Sequence, residues 1–172
     1  MRIGIIGIGG VGGYFGGKLA RKYAANGPHE IVFIARGAHL REIKKNGLRL
    51  LTREGDYIVK PSAATDNPKE AGVFDLVFFC TKSYALENAA HEFKNNMTDK
   101  TVVIPLLNGV NSAQRLRIIL SADILSGSVY IISHIEKPGV IKQEGGACKL
   151  IFGTDDLESA RKYSYILDIL LK

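Results

Sequence analysis

An α/β fold built on a parallel sheet is predicted by three features of the chain. Short, continuous apolar runs, Glu-Ile-Val-Phe-Ile-Ala at 30–35 and Asp-Leu-Val-Phe-Phe-Cys at 75–80 among them, alternate with stretches of helical periodicity. That is the rhythm of strands buried on both faces and joined by crossover helices. A glycine-rich stretch, Gly7-Ile8-Gly9-Gly10-Val11-Gly12, lies where the first apolar run gives way to the first helix. From Ile124 the alternation stops and three strand-like runs follow one another, which predicts an antiparallel extension on the edge of the sheet.

Taken in order, Arg2–Gly7 forms the first strand and Val11 to about Ala24 the first helix, with Leu19, Ala20 and Tyr23 on its buried face. Glu30–Ala35 is the second strand and His39–Asn46 a short, basic helix. Leu48–Thr52 and Asp56–Val59, separated by Arg53-Glu54-Gly55, form a hairpin or a strand with an excursion. Asp75–Cys80 carries the strongest buried-strand pattern. Leu86, Ala89, Ala90 and Phe93 then recur at helical spacing, with Glu87, Asn88, His91 and Lys94 on the other face. Thr101–Pro105 is the next strand, and Val110, Ala113, Leu116 and Leu120 mark the helix after it. Ile124–Glu136, Val140–Gln143 and Lys149–Phe152 are the closing strands, with Pro138-Gly139 and Gly145-Gly146 as turns between them. A last apolar stripe, Leu157, Ala160, Tyr163, Ile166, Leu167 and Leu170, runs to the final residue, Lys172, with no Gly or Pro stop signal. It either packs back on the sheet or leads toward another domain. The second alternative is favoured, dividing the chain into a domain at 1–155 and a terminal helix at 156–172.

The 172 residues, 46% hydrophobic and 23% charged, have globular composition and bury enough surface to need no disulfide or structural metal. Cys80 and Cys148 form no CxxC, and His29, His39, His91 and His134 show no metal-ligand spacing. A reducing, cytoplasmic setting follows as the expectation. Residues 1–50 carry a net charge of +7 and the remainder −1, so the basic excess is concentrated where the glycines lie. Nucleic acid is not the expected partner, because there is no aromatic RNA-binding motif and no basic run. Membrane insertion is not expected, since no apolar stretch reaches the roughly 18 residues it requires. Glycines interrupt the N-terminal apolar run, and no small-residue cleavage site follows, so it does not read as a signal peptide. Acyl-transfer chemistry has no GxSxG elbow to work from.

What remains is the glycine stretch. Following a strand and opening a helix, a GxGxxG is the dinucleotide fingerprint of a Rossmann-like, doubly wound sheet. Gly7 makes the tight turn, Gly9 lets the backbone approach a pyrophosphate, and Gly12 lets helix and strand pack closely, while the helix N-terminus meets the phosphate charge. Cofactor choice is read at the end of the second strand. There Arg36 stands 29 residues after Gly7, with no acid between Ile31 and Arg41. A basic residue there accommodates a 2′-phosphate, which predicts NADP(H) rather than NAD(H). The alternative is a solvated loop arginine. Two more loops follow strands: Thr81-Lys82-Ser83, whose Lys82 is placed to reach cofactor phosphate, and Asn108-Gly109, whose Asn108 is placed near the nicotinamide and the substrate. Each is also a residue type at home in a cap or turn.

With these residues in place, the chain resembles the ketopantoate reductase (2-dehydropantoate 2-reductase) family almost from end to end of that family's N-terminal domain. The resemblance rests on Gly-Ile-Gly-Gly-Val-Gly-Gly-Tyr-Phe-Gly at 7–16, Ala-Arg-Gly at 35–37, Cys-Thr-Lys-Ser at 80–83 and Asn108-Gly109-Val110. Gly127-Ser128-Val129-Tyr130, Pro138-Gly139-Val140 and Phe152-Gly153 extend it. It implies NADPH-dependent reduction of ketopantoate to pantoate, in pantothenate biosynthesis. Gly7, Ile8, Gly9, Gly10, Val11 and Gly12 would hold the pyrophosphate, Arg36 and Lys82 the 2′-phosphate side, and Asn108 would lie between nicotinamide and substrate. It also implies that the catalytic lysine and most substrate-binding residues belong to a second, all-helical domain. Nothing here matches that domain, which puts the family's lysine beyond Lys172 and leaves no catalytic residue in this chain. The chain alone is therefore expected to bind cofactor without turning over a small 2-keto acid. Where the family often has an acidic residue after the Asn-Gly, this chain has Asn111-Ser112-Ala113-Gln114-Arg115. Two other readings stay open: a stand-alone NADP(H)-binding or sensing module that self-associates as a homodimer through its last helix, and the cofactor domain of a glycerol-3-phosphate or opine type dehydrogenase.

Overall fold

The computed structural model describes residues 1–23, 27–154 and 156–171, the side chains of residues 157 and 158 excepted. Strands β1 (Arg2–Ile6), β2 (Glu30–Ile34), β5 (Ala63–Thr65), β6 (Leu76–Phe79), β7 (Val102–Pro105) and β8 (Asp123–Ile124) form one parallel sheet. Their order is β5-β2-β1-β6-β7-β8, so the winding reverses between β1 and β6. At such a point the loops on either side diverge and leave a crevice at the carboxyl ends of the strands.

The continuous apolar runs are explained by what lies on each face. Ile3, Ile5, Phe33, Leu76 and Phe78 point into one buried cluster, while Ile6, Val32, Ile34, Val77 and Phe79 point into a second on the opposite face. The second cluster is completed by α3 (Pro68–Ala71), α4 (Leu86–Phe93) and α5 (Ser112–Arg117), through Ala71, Leu86, Phe93 and Leu116. The first is covered by α1 (Gly10–Lys22) and α2 (Gly37–Asn46). Ala24, given to the first helix by sequence, lies outside the described residues.

The antiparallel strands are placed differently from the expectation. They do not extend the edge of the parallel sheet but belong to a second sheet, ordered β4-β3-β10-β9. There β3 (Leu48–Thr52) and β4 (Gly55–Val59) form the expected hairpin, and β9 (Ser126–Lys137) and β10 (Val140–Gly153) a longer one. The two hairpins are joined by a parallel pairing of Val140, Ile141 and Lys142 with Arg49, Leu50 and Leu51. Gly145-Gly146 is not a turn: register shifts on either side of Gly145 mark a bulge within one strand, so the two predicted runs are one.

Helix α1 is clamped between the two sheets. A Cβ on Gly16 would touch Ile5 and Phe33 of the parallel sheet at 3.0 and 3.2 Å. On Gly13 or Gly17 it would strike Ile141 or Leu50 of the second sheet at 2.5 or 2.4 Å. The glycines cost helix propensity and in return let backbone approach both layers.

The terminal stripe packs back. It forms α6 (Leu157–Lys162) and α7 (Tyr165–Leu170), and Tyr163, Ile166 and Ile169 are buried in the first cluster. Lys162 and the Tyr163 hydroxyl both reach Asp123 of β8, at 2.7 and 3.0 Å, and hold its carboxyl below the usual range. Tyr23 donates to the Ile169 carbonyl at 3.0 Å. The single expected helix at 156–172 is thus two short ones. The break after Lys162 shifts the helical phase, so Leu167 is exposed and Ile169 takes the buried place. Helix α7 ends at Leu170, and Leu171 is its C-cap residue. Lys172, given to the terminal helix by sequence, lies outside the described residues, as do the expected boundary at Asp155 and the side chain of Leu157.

Candidate functional site

The crevice at the winding reversal is built from the ends of β1, β2 and β6. Gly7 closes β1 at φ +97°, in the left-handed region that glycine enters without strain, and donates its N–H to the Ile34 carbonyl at 3.0 Å. A side chain there would meet the backbone of Cys80 and Thr81 at 3.0 Å. Gly9 is the N-cap residue of α1, with no side-chain cap and no acid in the first turn. The opening N–H groups of the helix and its positive dipole end therefore have no carboxylate from the helix's own first turn beside them. A Cβ on Gly9 would meet nothing within 4 Å, whereas on Gly10 it would lie 2.1 Å from the Ser133 carbonyl oxygen and on Gly12 2.1 Å from that of Gly7. Gly9 faces open space; Gly10 and Gly12 are packing positions.

Gly7, Ile8, Gly9, Arg36 and Lys82 come together on a single cleft of about 410 Å³. Gly10, Val11 and Gly12 form the first turn of α1 and do not line it. Arg36 caps α2 and reaches across to Glu92 of α4, with which it is ion-paired. Lys82 is exposed and precedes a short 3-10 turn, Ser83–Ala85. That turn is fastened from α5: Arg115 donates to the Ser83 hydroxyl at 2.8 Å and to its carbonyl at 2.7 Å, while also gripping Glu87. The Glu87 carboxyl is held below its usual range by this contact.

Asn108 is elsewhere. It lies on the exposed loop between β7 and α5 and lines a second concavity of about 400 Å³, with Gly109, Val110, Ser126 and Ser128. Val110 is not on a buried helix face as its spacing suggested. Gly109 turns at φ +110°, α5 starts only at Ser112, and Val110 is fully exposed.

One cleft residue and the partner of another escaped the sequence reading. His39 lines the cleft, and its Nδ1 accepts from the Gly139 N–H at 3.0 Å, tying the β9–β10 turn to α2. Burial lowers its pKa, against a hydrogen bond to the Ile8 backbone. Glu92 is the other. Its partner lies 56 residues away in sequence, and no local pattern announces such a pairing. Thr81 lines the same cleft with a buried hydroxyl that has no partner among the described residues. Burial pushes the neighbouring Cys80 thiol up. Among the described residues no group of three His, Cys, Asp or Glu side chains is placed to hold a metal, and no helix is long and apolar enough to cross a membrane.

A family model described as "Ketopantoate reductase PanE/ApbA" matches residues 3–156. A Bacillus subtilis protein named "Uncharacterized oxidoreductase YkpB" is 29% identical over 154 residues, covering 89% of this chain and 48% of that protein. A 2-dehydropantoate 2-reductase of Pyrococcus abyssi is 32% identical over 155 residues, covering 88% and 47%. The crystal structure of 2-dehydropantoate 2-reductase from Porphyromonas gingivalis is similar with a TM-score of 0.84 at 36% identity, over 99% of this chain and 61% of that one. The chain spans about half the length of the two curated relatives.

Proposed function

The chain belongs to the ketopantoate reductase family, and we propose that it is the NADPH-binding part of a reductase that converts ketopantoate, a 2-keto acid, to pantoate. The observation that carries this reading is the cleft itself: an uncapped helix N-terminus, open space at Gly9, and the cations Arg36 and Lys82 on one wall system at the winding reversal. The residues present fit a dinucleotide. Gly9 gives a pyrophosphate room against the α1 N–H groups, and the partnerless Thr81 hydroxyl is available to a ribose or phosphate oxygen. Arg36 and Lys82 give the adenosine end the positive charge that a 2′-phosphate requires. When bound, the nicotinamide would supply a hydride to the substrate carbonyl.

Delivering that hydride leaves charge on the carbonyl oxygen, which needs a proton or a cation. The concavity around Asn108 offers an amide and hydroxyls but is lined by no titratable side chain. Asn108 is thus suited to orient a carbonyl and not to protonate it. By the family resemblance we assign the proton to a lysine of that family's helical second domain, and no catalytic role to the residues of this chain. General acid catalysis is typically worth about 10²–10⁴-fold. We expect the 172-residue chain to bind nucleotide and to oxidise no NADPH at ordinary enzymatic rates with ketopantoate, followed at 340 nm. Turnover would place the acid within these residues, and Lys82 would be the first to test.

The binding half of the proposal is tested by titrating NADPH and NADH, by fluorescence or calorimetry. The unmutated chain is expected to bind NADPH at least several-fold tighter. Arg36→Ala should remove most of that difference, because a charge-assisted contact to phosphate is worth about 1.5–3 kcal/mol. Equal affinities in the unmutated chain would refute the assignment of Arg36.

A further inference from the structure

Among the described residues, the Arg36–Glu92 pair is the one ion pair that involves a side chain lining the cleft. It joins the two walls, Arg36 coming from the end of β2 and Glu92 from the last turn of α4. The carboxylate occupies an Nη2 edge of the guanidinium, and a phosphate held in the bidentate fork geometry needs such an edge. The absence of an acid at the end of β2, which marks the sequence as one that takes a 2′-phosphate, is therefore offset in space by an acid from another helix.

We propose that Glu92 is a specificity-determining residue: a tethered anion that competes with the cofactor's 2′-phosphate for Arg36 and so limits the preference for NADPH over NADH. The inference rests on the reading of this cleft as a nicotinamide dinucleotide site. Its physical basis is a difference between two ligands. NADPH must break the pair and then bring a phosphate, close to a dianion, near a displaced carboxylate. NADH carries only a 2′-hydroxyl there and leaves the pair standing. The side chains of Arg36 and Glu92 are 64% and 35% exposed, so the pair is a weak one that a phosphate can displace, but not without loss. Lys82, which has no ion-pair partner among the described residues, keeps the cleft attractive to phosphate in either case.

Glu92→Gln keeps the shape and removes the charge. Titrated with NADPH and NADH, this variant should bind NADPH roughly three- to ten-fold tighter and change by less than about two-fold toward NADH. The gain should shrink as salt is raised from about 0.05 to 0.5 M, since exposed charges are screened. In an Arg36→Ala background the same substitution should gain clearly less, because the group competed for is gone and only the repulsion between carboxylate and phosphate remains to be relieved. Weaker NADPH binding by Glu92→Gln, equal changes toward both nucleotides, or an undiminished gain without Arg36 would each overturn the competition. An unmutated chain that binds neither nucleotide would overturn the reading of the cleft and this inference with it. Binding that Arg36→Ala alters and Glu92→Gln does not would overturn the inference alone.

Discussion

Gly9→Val should abolish binding of both nicotinamide nucleotides, lowering affinity by more than about 100-fold, and leave the fold standing. The two halves of this expectation have separate grounds. Gly9 has φ −88° and ψ −157°, extended backbone that valine adopts readily. Its Cβ would meet nothing within 4 Å. The folded state therefore has room for the side chain, and the cost is that of a poor N-cap residue, about 1 kcal/mol or less. The space the side chain fills is on the cleft, over the first turn of α1, where the proposal puts the pyrophosphate. A branched side chain there keeps phosphate oxygens from the helix N–H groups and cancels the charge-assisted contacts they would make. Calorimetric titration with NADPH and NADH, beside a thermal melt, separates the outcomes. A variant that melts normally and still binds would show that the glycine loop does not hold the phosphates. The contrast with Arg36→Ala matters here, for that change should act on NADPH alone, whereas this one acts on the part both nucleotides share.

The three motif glycines, Gly7, Gly9 and Gly12, were legible because what they answer is built into the motif's spacing, whereas Gly10, packed on Ser133, answers a distant one. Gly7 is needed for a positive φ, Gly9 for open space and Gly12 for a backbone contact with Gly7, and the spacing of the motif encodes all three. The strands β1, β2, β6 and β7 were legible for a similar reason: burial on both faces leaves an unbroken apolar run. Burial on a face does not name the partner, however. The parallel pairing of β10 with β3 links residues about 90 positions apart, and nothing in Val140–Gln143 distinguishes that edge from the edge of the parallel sheet. Strand β5 was missed altogether. It is three residues, Ala63–Thr65, at the sheet's rim, too short and too weakly apolar to show a period. Glu92 illustrates the same limit within the site. A charged residue near a helix end reads as solvated until the fold brings Arg36 to it.

The largest effect on stability is expected from Gly12→Ala, two positions past the N1 residue of α1. Alanine is the better helix former by about 1 kcal/mol, so propensity alone predicts a gain. Packing predicts the reverse, and by a wider margin. The added Cβ would lie 2.1 Å from the Gly7 carbonyl oxygen and 2.8 Å from the Cys80 Cβ. Neither neighbour is the free end of a side chain. The Gly7 carbonyl belongs to the turn set by its positive φ, and Cys80 is fastened by its N–H to the Ile6 carbonyl at 2.8 Å. Relief therefore requires α1 to move away from the parallel sheet, and the second sheet blocks that movement. On that side the Gly10 backbone lies against the Ser133 carbonyl, and Gly13 lies against Ile141. Overpacking a core ordinarily costs about 1–3 kcal/mol, and a clash between backbone groups held on both sides belongs at or above the top of that range. A net loss of about 3 kcal/mol corresponds to a drop in Tm of roughly 6–12 °C for a chain of this size. Gly17→Ala is the control. Its Cβ would meet the Cδ1 end of Leu50 at 2.4 Å, a group that can rotate aside, and the helix-propensity gain applies equally. Its Tm should fall by no more than about a third as much. If Gly12→Ala melts within about 2 °C of the unmutated chain, α1 is free to shift between the sheets, and the close approach of helix and strand at Gly12 is not what positions the glycine loop over the cleft.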